Sequence, residues 1–167
     1  MILGMLGALL TVAQVALAVL PNIELISVLI TVYALVLGKH CFAPIYVFVL
    51  LEGLLYGFGM WWAHYLYVWP LLAAVVLLLH KRFSMPLAVL INGAFGLFFG
   101  ALCALTYLFI GGYNAALAYW ISGLPFDFLH CAGNVAAALV LFRPLLRIFQ
   151  KMLGGVFVPT VQDTPSL

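Results

Sequence analysis

The sequence predicts an all-α membrane protein, a six-transmembrane-helix bundle with N and C termini cytoplasmic. Three observations predict it. Of 167 residues, 68% are hydrophobic and only 6% charged, with a mean hydropathy of +1.31, far outside soluble composition. At about 20 residues per span plus short loops, the length allows about six helices in one domain; a β-barrel would show two-residue alternation, which the chain lacks. The six Lys and Arg residues fall in three places only: Lys39, then Lys81 and Arg82, then Arg143, Arg147 and Lys151. With six helices these are the 2–3 loop, the 4–5 loop and the C-terminal end. All lie on one side, which the positive-inside rule makes cytoplasmic. The net charge of +2 is thereby accounted for by topology, and no nucleic-acid partner is expected.

Helix 1 is expected from Met1 to Leu20. Ala16-Leu17-Ala18 resembles a signal-peptidase site, but there is no basic segment before it and the apolar stretch is too long for a signal peptide. Gly4 with Ala8, and Gly7 with Thr11, are small pairs spaced four apart, which let a second helix approach closely in lipid. They fit either a partner surface or packing within the chain. Pro21-Asn22 is a turn. Helix 2 is expected over 23–37 with Glu24 in its first turn, and helix 3 over 42–57 with Glu52 inside it. The run from Gly57 to Trp69 carries Trp61, Trp62, His64, Tyr65 and Trp69 and reads as an aromatic helix–helix turn before helix 4, over 66–79.

Helix 5, expected over 86–110, carries Gly93, Gly96, Gly100 and Ala104 on one stripe, with Asn92 beside it. Each glycine costs a helix about 1 kcal/mol against alanine, so the stripe predicts close helix contact. Gly111-Gly112-Tyr113-Asn114 breaks the helix, and 115–121, with Tyr119 and Trp120, reads as a short interfacial segment. Helix 6 is expected over 121–144. Pro125 stands near its first position, where a missing N–H costs nothing, and Asp127 in its first turn, where the helix dipole favours a negative charge. Residues 1–152 form the expected membrane domain and 153–167 a loose C-terminal tail.

In helix 6 the polar residues Asp127, His130 and Asn134 lie at i, i+3 and i+7 and share one face. A carboxylate in hydrocarbon costs roughly 2.5 kcal/mol or more on insertion scales. Either Asp127 caps its helix or this face lines a ligand site. On the helix count, Glu24, Glu52, His64 and Asp127 all fall in the outer half, with the aromatic clusters around Trp61 and Tyr113. These rings form an interfacial belt or stack on a flat ligand.

No cofactor is expected. There is no Gly-x-x-x-x-Gly-Lys-Ser/Thr, no His-Glu-x-x-His and no Gly-x-Ser-x-Gly, and Asp127–His130 has no nucleophile in a recognisable setting. Cys41, Cys103 and Cys131 lack metal or redox spacing and read as small packing residues. A metal held by Asp127, His130 and His64, or a proton relay through Glu52 and Asp127, is a lesser alternative.

The helix count, the termini, the small face of helix 1, Pro21-Asn22-Ile-Glu24-Leu, the aromatic 3–4 loop and the run Gly123-Leu-Pro-Phe-Asp127-Phe-Leu-His130 through Gly133-Asn134 together resemble the substrate-binding S components of energy-coupling factor (ECF) transporters, over about residues 1–150. The resemblance implies a prokaryotic cell-membrane protein. It implies capture of a vitamin or precursor near the extracellular face, then docking on a transmembrane coupling protein driven by two cytoplasmic ATPases. ATP hydrolysis then belongs to the partners and this chain is no enzyme. Two alanines four apart in helix 1 meet the coupling protein in that family; Gly4 and Ala8 stand there in this chain, with Gly7 and Thr11 alongside. The family's cobalt and nickel members begin Met-His, whereas this chain begins Met1-Ile2, which disfavours that role.

The expected substrate-binding set is Asn22, Glu24, Glu52, Trp61, Trp62, His64, Tyr65, Tyr113, Asn114, Tyr119, Trp120, Asp127, His130 and Asn134. With carboxylates and histidines but no Lys or Arg in this half, an anionic vitamin lacks a charge partner. A neutral or cationic aromatic ligand is favoured, with a cobalamin-related compound the first choice. The competing reading is a non-transporting membrane scaffold of the cell-shape type, which needs no ligand.

Overall fold

A computed structural model describes residues 1–20 and 22–157, with side chains described up to 153. The described chain is all helical: α1 (Ile2–Leu17), α2 (Ile26–Leu37), α3 (Phe42–Tyr56), α4 (Met60–Leu79) and α5 (Met85–Phe157), with 3-10 turns at Gly38–Cys41 and His80–Arg82. α5 is two arms joined at Gly112, whose φ of 73° and ψ of −171° are non-helical. Three helical stretches are long and apolar enough to cross a membrane: Ile26–Tyr56, Met60–Arg82 and Met85–Leu153. α1 is apolar but has only 16 residues, and stops short of the expected Leu20.

Several expected boundaries move. Glu24 lies before α2, not in its first turn; its carboxylate accepts the Ser27 N–H at 2.8 Å and so caps the helix start from outside. The aromatic run 61–69 is the beginning of α4, not a loop. Gly57, at φ 87°, ends α3, and no breaker follows Gly59 until Pro70. Pro70 has no N–H to give the Leu66 carbonyl; Tyr46 Oη donates to that carbonyl from α3 at 3.4 Å, the kind of rescue that lets proline sit inside an apolar helix.

The expected interfacial segment 115–121 and the expected helix start near Ser122 are also replaced. The second arm of α5 runs from residue 113 through Pro125 and Pro144 to Phe157. Pro125 is therefore not a first-turn proline, and Asp127 is no cap: it lies four turns inside a helix and is 4% exposed. Pro144 does not stop the helix either, because Leu146, Phe149 and Leu153 beyond it are buried. The expected domain limit at 152 falls within this helix, and residues 158–167 of the tail lie outside the described residues.

The core is centred on α2, which buries all its residues but Leu35 against α5, α4 and α1. The glycine stripe lies between the two arms of α5. A Cβ on Gly96 would stand 2.8 Å from the backbone of His130 and Cys131, and one on Gly93 would stand 2.7 Å from Val135. Ring contacts fix which ends meet. Tyr33 near the end of α2 meets Phe149 (5.2 Å), and Phe83 beside Arg82 meets Phe142 beside Arg143 (5.9 Å). Tyr33 Oη donates to the Leu6 carbonyl at 3.2 Å. The three basic segments and the start of α1 therefore gather at one end of the bundle, with all six Lys and Arg exposed.

Candidate functional site

The opposite end holds a partly open cavity of about 340 Å³. The end of α1 supplies Gln14 and Leu17; the connection to α2 supplies Asn22 and Glu24; α3 supplies Glu52 and Tyr56. α4 contributes Trp61, Tyr65 and Trp69, and α5 contributes Phe99 and His130. The three α4 residues lie at i, i+4 and i+8, one stripe of a helix. Their rings meet edge to face, Trp61–Tyr65 and Tyr65–Trp69 both at 5.4 Å between centroids. Asn22 turns the chain at φ 56°, a conformation Asn tolerates better than most residues.

Beneath the cavity runs a buried polar ladder. Glu24 Oε1 takes hydrogen bonds from Ser27 Oγ and, at 3.2 Å, from His130 Nε2. Asn134 Nδ2 donates to Ser27 Oγ at 3.1 Å and to the Asn92 carbonyl at 3.2 Å. Asn92 Nδ2 then donates to Thr31 Oγ1 at 3.1 Å. Ser27 and Thr31 on α2, with Glu24 just before it, thus meet His130 and Asn134 of the second arm and Asn92 of the first. Ser27 and Thr31 escape sequence reasoning. A hydroxyl in an apolar helix satisfies itself on the i−4 carbonyl, as Thr31 does on Ser27 at 2.9 Å, and so makes no demand that spacing alone reveals.

Of the fourteen residues expected at a ligand site, Asn22, Glu24, Glu52, Trp61, Tyr65 and His130 line this cavity. Asn134 lies in the ladder below it. Asp127 is one turn from His130 but turned to the first arm: Oδ1 accepts the Gly100 N–H at 2.9 Å, and Gly100 has no Cβ because one would collide with the carboxylate. Trp62 falls off the α4 stripe and donates to the Val49 carbonyl at 2.8 Å. His64 packs on a separate aromatic group, with Tyr107 and Tyr119 stacked at 4.3 Å. Tyr113 and Asn114 are exposed. Tyr113 and Trp120 border a second, apolar cavity of about 240 Å³ with Ala101, Leu105, Leu108 and Leu117.

The aromatic cup expected from sequence is thus divided into three places. Trp69, expected among the ring residues, lines the cavity, and Gln14, Tyr56 and Phe99 join it without having been expected there. His64 stands apart from Asp127 and His130, and no group of three or more His, Cys, Asp or Glu among the described residues could hold a metal ion.

The four small residues of α1 also divide. Gly7 and Thr11 are buried; a Cβ on Gly7 would meet Val47 at 2.5 Å and the Pro44 carbonyl at 2.9 Å. This pair packs α1 on α3 and is not free to meet a partner, which corrects half of the expected coupling surface. Gly4 and Ala8 are exposed, and nothing lies within 4 Å of a Cβ on Gly4.

Chemically, the cavity offers two carboxylates, an imidazole and ring edges or faces, with no Lys or Arg at this end of the bundle. Four of its lining residues carry a buried polar atom without a hydrogen-bond partner: Glu52 Oε1, Trp69 Nε1, His130 Nδ1 and Gln14 Oε1. Unpaired polar groups beside a mostly apolar cavity are a mark of a ligand site. No protein-family model matches the chain, and no curated protein or solved structure matches it either.

Proposed function

We propose that the chain is the membrane-embedded, substrate-binding subunit of an ECF-type importer. It holds a vitamin or vitamin precursor, neutral or cationic and aromatic, in the cavity bordered by Glu24, Glu52, Trp61, Tyr65 and His130. One observation carries the proposal. The cavity, with the two carboxylates and the stripe of rings that line it, lies at the end of the bundle opposite all six Lys and Arg. In this reading α1 to α4 and the two arms of α5 make six crossings, the basic end and both termini face the cytoplasm, and the cavity opens outside. A transmembrane coupling protein and two cytoplasmic ATPases supply the energy.

The cavity, about 340 Å³ and partly open, has room for one or two rings. A cobalamin-related compound, the first choice within the resemblance, would extend beyond it through the open side.

Native mass spectrometry of the purified protein and a thermal-shift panel of vitamins test the proposal. One retained compound, or one that raises the melting temperature, is expected. Neither result in either assay would leave the scaffold reading. Docking is tested separately: Gly4→Leu and Ala8→Leu are expected to abolish uptake by the reconstituted importer while changing ligand affinity by no more than about two-fold, as for exposed positions without internal contacts. Loss of binding in both variants would show that this face serves the chain itself.

A further inference from the structure

Two carboxylates border the cavity, and they are in different situations. Glu24 is committed to the Ser27 N–H, the Ser27 hydroxyl and His130. Glu52, in the penultimate turn of α3, is 2% exposed, yet its Oε1 has no hydrogen-bond partner and no ion pair among the described residues includes it. A buried carboxylate without a partner is strongly unfavourable, so the group either takes up a proton or receives a partner from outside.

We infer that the cavity selects a ring compound bearing a cationic N–H group, and that Glu52 is the residue that selects it. The inference rests on the reading of this cavity as a ligand site and adds to it the charge of the ligand and the residue that reads that charge. An anion entering here would meet two carboxylates and no Lys or Arg. A neutral donor would satisfy an oxygen of Glu52 but leave its charge uncompensated. A protonated amidine, amine or aminopyridine does both, through a charge-assisted hydrogen bond. The stripe Trp61, Tyr65 and Trp69 borders the same space, and aromatic rings attract a cation that has shed its water.

The test uses the full chain in detergent with three probes of one shape and different charge: benzamidine (cation), benzamide (neutral) and benzoate (anion). Tryptophan quenching gives affinity and thermal unfolding gives stability. Benzamidine is expected to bind at least about ten-fold more tightly than benzamide, a factor equal to about 1.4 kcal/mol, and benzoate not to stabilise the protein. Glu52→Gln is expected to erase the preference while leaving the ligand-free melting temperature equal or higher, since it removes an unpartnered charge. A residue held for packing would instead lower it.

Equal binding of benzamide, better binding of benzoate, or a benzamidine preference that survives Glu52→Gln would overturn the inference. Should the vitamin panel yield a ligand whose affinity Glu52→Gln does not change, the binding role stands and cation selection falls. Should neither probes nor vitamins bind, both fall.

Discussion

Gly96→Val is expected to destabilise the protein by roughly 3 kcal/mol or more, at the upper end of what overpacking costs, and to lower the yield of folded material from the membrane. Its new Cβ would sit 2.8–2.9 Å from the backbone N, Cα and carbonyl carbon of Cys131 and His130. Backbone has no rotamer to escape into, so the two arms of α5 must part. Parting them moves His130 away from Glu24 and opens the ladder below the cavity. Gly123→Val, in the second arm and with nothing within 4 Å of its Cβ, is the control and is expected to stay within about 0.5 kcal/mol apart from its own helix preference. Thermal unfolding in detergent reads both. Equal melting temperatures for the two variants would mean that the arms do not meet along the glycine stripe.

That contact was legible before any coordinates, and the reason is physical. Three glycines on one helix face lower helix stability and pack nothing themselves, so close approach is the one thing they permit. The polar face of Asp127, His130 and Asn134 was legible for a similar reason, since burying such groups in an apolar helix demands partners. What could not be read was where helices begin. Gly57 and Gly59 stop one helix, and the rings that follow look like a loop because aromatic side chains are as common at interfaces as in helices. Once α4 is known to start at Met60, the spacing of Trp61, Tyr65 and Trp69 sorts them from Trp62 at once. Pro125 misled in the opposite direction. Proline at a helix start and proline inside an apolar helix leave the same trace in sequence, and only the neighbours decide which it is.

The expected role of Asp127 changed with that helix boundary. In the middle of a helix it cannot cap, and its contact with Gly100 makes it a tie between the arms of α5 instead of a wall of the cavity. Its Oδ2 has no hydrogen-bond partner, so the tie is incomplete. The acids that border the cavity are the ones nearer the chain start, Glu24 and Glu52, the nearer of which precedes Asp127 by 75 residues (127 − 52). No periodicity within one helix could have joined them.

The ladder yields the second large effect. Glu24→Leu alone is expected to cost roughly 2–4 kcal/mol, because it leaves the His130 Nε2 and the Ser27 hydroxyl without their acceptor in a buried setting. His130→Phe alone should cost a similar amount, by leaving Glu24 a buried carboxylate with Ser27 as its main support. The combination should cost clearly less than the sum, with a coupling of at least about 1 kcal/mol, since two apolar side chains replace a desolvated pair and neither strands the other. Unfolding of the four proteins in mixed detergent completes the cycle, and strict additivity would show that the 3.2 Å contact carries no energy. Ligand affinity in the double variant separates the two uses of the pair. If it refolds to near-parental stability yet binds nothing, the pair is kept for recognition; if it binds as the parent does, the pair only holds α2 to α5, and the ligand is gripped by Glu52 and the rings alone.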